Sequence, residues 1–73
     1  MQEQISQPIE ISVNGETTRT KSITLTALLH ELGYGEAKVA TALNGEFVPA
    51  TARDGSRLAN NDKVEIVAPR QGG

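Results

Sequence analysis

One apolar stripe limits what this chain can fold into. Leu25, Leu28, Leu29 and Leu32 recur at i, i+3, i+4 and i+7, which places them along one side of an α-helix. Thr24 suits the N-cap, with Ser22 as the alternative, because a short hydroxyl side chain can accept from the free N–H groups of the first turn. Gly33 suits the left-handed residue that ends a helix. His30 falls opposite the stripe and is expected on the solvent side. A helix with such a face has to lay it on something apolar, and the remaining residues offer only strands.

Ile9, Ile11 and Val13 alternate with Glu10 and Ser12, the period of a half-buried strand. Asn14-Gly15 follows, and both residues accept the positive φ of a tight hairpin. The returning run, Thr17 to Lys21, is β-branched but almost wholly polar, as an edge strand with outward charges would be. After the helix, Val39 to Leu43 is apolar or small at nearly every position, which suits a strand covered on at least one face. Asn44-Gly45 turns the chain again, and Phe47-Val48 before Pro49 forms a very short strand. Residues 50–62 are rich in turn formers around Leu58, which is expected to plug the core from a loop or a single helical turn. The last strand runs from Lys63 to Ala68, with Val64, Ile66 and Ala68 on one face.

The order β-β-α-β-β-β predicts an α+β fold, a mixed sheet of about five strands with one helix on one face. The first and last strands are the best patterned, so they are expected side by side in the centre. The helix-containing connection between them would then make that pair parallel.

Pro69 lacks an N–H and should end the sheet ladder, leaving Arg70-Gln71-Gly72-Gly73 as a short tail with a carboxylate at its tip. Without a Cβ at either glycine, this end can enter a channel too narrow for any other pair of residues and adopt whatever φ and ψ the channel imposes. The expected organisation is an N-terminal extension over 1–8, a folded body over 9–68 and a flexible diglycine tail over 69–73.

Composition removes most other functions. A chain of 73 residues makes one domain, too small to hold both a deep pocket and its support. With one Phe, one Tyr, no Trp and a net charge of −2, it offers neither stacking platforms nor a basic patch, which argues against nucleic acid and anionic membrane. Cysteine is absent, so a disulfide, a thiol nucleophile or a thiolate metal site is excluded, and a single histidine argues against a metal centre. Met1-Gln2-Glu3-Gln4 is unlike the start of a signal peptide, so neither a signal peptide nor export is expected and a cytoplasmic location is.

Four segments carry a resemblance to a known family. They are Ile11-Ser12-Val13-Asn14-Gly15-Glu16, Thr24-Leu25 with Leu28-Leu29, the run from Val39 to Pro49, and Asn61 to Val67 ahead of the terminal diglycine. Together they resemble the β-grasp, or ubiquitin-like, family, and within it the ThiS sulfur carriers of thiamine biosynthesis. The resemblance spans nearly everything from Ile9 to Gly73; residues 1–8 look like an addition, and the stretch after Pro49 departs from the family pattern.

The resemblance implies a protein cosubstrate with no catalytic residue and no bound cofactor. An adenylating enzyme of the ThiF type would use ATP and magnesium to activate the carboxylate of Gly73. A persulfide donor would then supply sulfur, giving a thiocarboxylate for a thiazole synthase of the ThiG type. Arg70, Gln71 and Gly72 would be read as the tail is threaded. The alternation of the last strand puts Lys63, Glu65 and Val67 opposite the helix, where partners are expected to dock. The rival readings are the small subunit of a molybdopterin synthase, a ubiquitin-like modifier joined to lysines, and a binding module with an inert tail.

Overall fold

The computed structural model describes residues 7–35 and 37–68. Strand β1 (Ile9–Val13) and strand β2 (Glu16–Thr20) form the opening hairpin, helix α1 (Leu25–Glu31) follows, and β3 (Ala40–Leu43) and β4 (Glu46–Val48) form a second hairpin. A 3-10 turn at Ala50–Gly55 then leads to β5 (Lys63–Val67). Both hairpins close as their sequence demands: Asn14 and Asn44 sit at φ 52° and 51°, Gly15 and Gly45 at 87° and 86°. Positive φ at both central residues matches the right-handed twist of the flanking strands.

The five strands lie in the order β2-β1-β5-β3-β4. Strands β1 and β5 are parallel neighbours, as expected, and every other pair is antiparallel. The last strand of the chain therefore occupies the middle of the sheet, flanked by β1 and β3.

Helix α1 covers one face. The Thr24 hydroxyl accepts from the Ala27 N–H at 3.1 Å, so the cap is Thr24 and not Ser22. Leu25, Leu28 and Leu29 are buried against Ile11, Val48, Val64 and Ile66, with Tyr34, Val39, Leu43 and Leu58 packed around them. Each such aliphatic side chain contributes about 1.5–3 kcal/mol on full burial. Leu58 plugs the core from the loop after the 3-10 turn, where its N–H donates to the Ile23 carbonyl at 3.0 Å.

Two expectations are corrected. Leu32 is 37% exposed, because the helix stops at Glu31 and the chain swings away through Gly33 at φ 92°. Only three members of the stripe reach the core. Ala68 lies beyond β5 and is exposed, so Val64 and Ile66 alone form the inward face of that strand.

Polar groups on the covered face are satisfied. Thr41 is buried between Val48 and Ile66 in the register; its hydroxyl donates to the Val48 carbonyl at 2.8 Å and accepts from Arg53 Nε at 3.1 Å. Arg53 also donates through Nη2 to the Val39 carbonyl at 2.7 Å, which ties the 3-10 turn to the start of β3. Among the described residues no buried side-chain polar atom lacks a partner.

Candidate docking face and the tail-bearing strand

Among the described residues no element covers the face of the sheet away from α1, and the strand register says what that face displays. Ala42 pairs with Phe47 on one side and Glu65 on the other, while Ala40 pairs with Val67. Paired residues share a face, so Phe47, Ala42, Ala40, Val67, Glu65 and Lys63 point the same way. Phe47 is 70% exposed and Val67 62% exposed. Across the sheet, the same face of β1 and β2 carries Glu10, Ser12, Thr17 and Arg19. The open face is thus divided into an apolar half on β3, β4 and the end of β5, and a polar half on β1 and β2.

Lys63, Glu65 and Val67 are exposed and alternate with buried Val64 and Ile66. The structure brings them together on the open face. Gly73, Gly72, Gln71 and Arg70 lie outside the described residues, as do Pro69 and most of the 1–8 segment.

Sequence periodicity gives Phe47 a place in a short strand and misses its part in this face. The signal was present: once Val48 is given to the core, period two sends the single phenylalanine of the chain to the opposite face. It also missed the second role of the turn asparagines. The Asn44 Oδ1 accepts from the Lys63 N–H at 2.9 Å, and the Asn14 carboxamide meets the N–H and carbonyl of Ile66 at 2.8 and 3.1 Å. An Asn-Gly pair announces a turn, and nothing in its neighbours announces where the side chain will bind.

Away from this face, the Glu31 carboxylate accepts from the hydroxyls of Thr20 and Ser22. The hydrogen bond from Thr20, followed by that from Ser22, lowers the Glu31 pKa below its ordinary value, with slight burial opposing. Among the described residues no group of His, Asp or Glu is arranged to hold a metal ion, and no helix is long and apolar enough to cross a membrane.

Comparison with known proteins bears on the same strand and its continuation. The model of the ThiS family matches residues 7–73, through the diglycine. A thiazole synthase of Paramagnetospirillum magneticum is 39% identical over 66 residues, covering 89% of this chain but 20% of that protein. The chain therefore spans about a fifth of that enzyme's length. The uncharacterized protein ycf40 of Pyropia yezoensis is 34% identical over 70 residues, which cover 94% of this chain and 99% of ycf40. The crystal structure of a thiamine biosynthesis protein (ThiS) from Geobacter metallireducens superposes with a TM-score of 0.76 at 29% identity, over 89% of this chain and 100% of that one. The five-stranded sheet with α1 on one face matches that protein's ubiquitin-like β-grasp fold.

Proposed function

Since the chain belongs to the ThiS family, the sulfur carriers of thiamine biosynthesis, we propose that it carries its sulfur as a thiocarboxylate on Gly73. The chain is a carrier and not a catalyst. The observation that carries the proposal is the family match running to the last residue, Gly73, behind a strand built into the centre of the sheet.

The chemistry explains why activation is needed. A carboxylate is a resonance-stabilised anion with no good leaving group, so sulfur cannot displace its oxygen directly. A partner adenylating enzyme, holding ATP and magnesium, lets a Gly73 carboxylate oxygen attack the α-phosphorus and expels pyrophosphate. The terminal sulfur of a persulfide donor then attacks the acyl carbon, AMP leaves, and an acyl disulfide results. A thiol cleaves the S–S bond, releasing the thiocarboxylate and leaving a disulfide. This chain contributes the reacting carboxylate, a tail without side chains at its end, and the face by which it is held.

The adenylating enzyme docks on the apolar half of the open face, which is continuous with the strand that leads to the tail. Phe47 and Val67 are its anchors, with Glu65 and Lys63 beside them. The sulfur acceptor is a thiazole synthase; an enzyme of that name carries a segment similar to this chain, which supports the pairing.

Incubation with the adenylating enzyme, ATP, magnesium and a persulfide donor tests the reading. Intact-mass measurement is expected to show one oxygen-for-sulfur exchange, located on Gly73 by fragmentation. Deleting Gly73 abolishes the gain and leaves the fold unchanged. Gly72→Val impairs it, because a β-branched residue does not enter a channel shaped for none. A lysine-linked adduct would replace this reading with that of a protein modifier, and no modification at all would leave a binding module.

A further inference from the structure

Strand β5 is gripped at both ends by the side chains of the two turn asparagines. At its start, Asn44 Oδ1 accepts from the Lys63 N–H at 2.9 Å, and Asn44 Nδ2 donates to Asp62 Oδ1 at 3.0 Å. Near its end, Asn14 Oδ1 accepts from the Ile66 N–H at 2.8 Å, and Asn14 Nδ2 donates to the Ile66 carbonyl at 3.1 Å. The two grips differ in what they replace. The parallel ladder between β1 and β5 holds only Ser12 with Lys63 and Val13 with Val64, because β1 turns away at Asn14. The Asn14 N–H still donates to the Val64 carbonyl at 2.9 Å; beyond that bond, among the described residues, β5 has no main-chain partner on that side. A carboxamide carries a donor and an acceptor in one plane, as a peptide group does, so Asn14 supplies the missing rung. It does so while holding φ at 52°, a conformation that few residues other than Asn and Gly adopt readily.

We propose that Asn14 is a positioning residue for sulfur loading: its carboxamide keeps Ile66 and Val67 in the sheet, so that these two residues need not be ordered again when the chain enters the partner's channel. The inference rests on the carrier reading above. Without the Asn14 rung, the end of β5 is held on one side only, by the pairing of Ala40 with Val67. Each further residue that frays must be ordered again before Gly73 can react, at a penalty of about tenfold in the threaded population.

The experiment compares wild type, Asn14→Gly and Asn44→Gly in the loading reaction with adenylating enzyme, ATP, magnesium and persulfide donor. Glycine keeps both turns, since it accepts the same φ, and removes one grip in each variant. Asn14→Gly is expected to lower kcat about tenfold with KM changed less than about twofold, because the docking face is intact. Asn44→Gly is expected to load at the wild-type rate. Amide exchange at Ile66 accelerates in the first variant and not in the second. Should Asn14→Gly fail to fold, Asn14→Asp, which keeps the Ile66 N–H bond and loses the donation to the Ile66 carbonyl, is read by kcat alone: a fall supports the inference and a wild-type kcat overturns it. Equal kcat in all three proteins, or an equal fall in both variants, overturns the inference and leaves the carrier reading standing. No sulfur gained by the wild type overturns both.

Discussion

The two faces of the sheet are made from the same five strands, yet single residues along each strand serve opposite ends. Under α1, Ile11, Val64, Ile66 and Val48 are buried against Leu25, Leu28 and Leu29. One residue away from Ile66 and from Val48, Val67 and Phe47 stand in solvent. A phenylalanine left 70% exposed contributes little to folding and retains most of the about 1.5–3 kcal/mol that its burial would release. In a carrier, that free energy is available for docking. On the docking proposed above, the pleat separates stability from recognition, so a substitution on one face should leave the property of the other unchanged.

The largest effect is expected on the covered face. Leu28 is fully buried, and Leu28→Ala should lower stability by about 2–5 kcal/mol, through lost transfer free energy and the cavity left behind. In a domain this small, that approaches the total. Denaturant melts read the change directly, and a loss below about 0.5 kcal/mol would put the helix on the wrong face.

Phe47→Ser should do the reverse. Affinity for the proposed adenylating partner is expected to fall by about 2 kcal/mol, roughly 30-fold in Kd, the loss typical of a central aromatic anchor. Stability should change by less than about 0.5 kcal/mol. Calorimetric titration and a melt on the same sample test both halves, and unchanged affinity would move the docking surface elsewhere.

How much of this was legible in the sequence follows the same division. Period two placed Ile9–Val13 and Lys63–Val67, Asn-Gly pairs placed both hairpins, and the leucine spacing placed α1, because each signal is local and each element buries one face. Leu32 misled because the stripe continues one position past the residue where the helix closes. Residues 50–62 are compatible in sequence with either a loop or a helical turn, since their structure depends on distant partners: Arg53 reaches back to Thr41 and Val39, and Leu58 to Ile23. The candidate face was half legible. Lys63, Glu65 and Val67 follow from alternation within one strand, whereas joining them to Phe47 requires the register of three.

A smaller effect belongs to the polar part of the open face. Glu65 is exposed in the row shared with Ala42 and Phe47, so Glu65→Lys reverses a charge without disturbing the core. Partner binding should change by about 1 kcal/mol or less, mainly in the association rate and its salt dependence. Stopped-flow association at two ionic strengths distinguishes this from a structural effect, which salt would leave in place.

The smallest effect sits on the rim of the covered side, at Glu31. Its carboxylate lies in the last turn of α1, where the helix dipole disfavours negative charge, and is held there by the hydroxyls of Thr20 and Ser22. Those two bonds, the one from Thr20 foremost, lower its pKa in the folded protein. The sign follows from linkage. A carboxyl group with a folded pKa below its unfolded value stabilises the fold above the unfolded value, and that contribution is lost as pH falls through the folded one. Glu31→Gln keeps the shape and removes the charge. At neutral pH the variant should be less stable than wild type by no more than about 0.5 kcal/mol, since the group is exposed and screened. The gap should close as the solution is acidified through the lowered Glu31 pKa, while affinity for the adenylating enzyme is the same for both proteins throughout. Melting series at matched ionic strength read the closure. A gap that persists into acid would assign the effect to side-chain geometry, and a change in affinity would mean that the two faces are not independent.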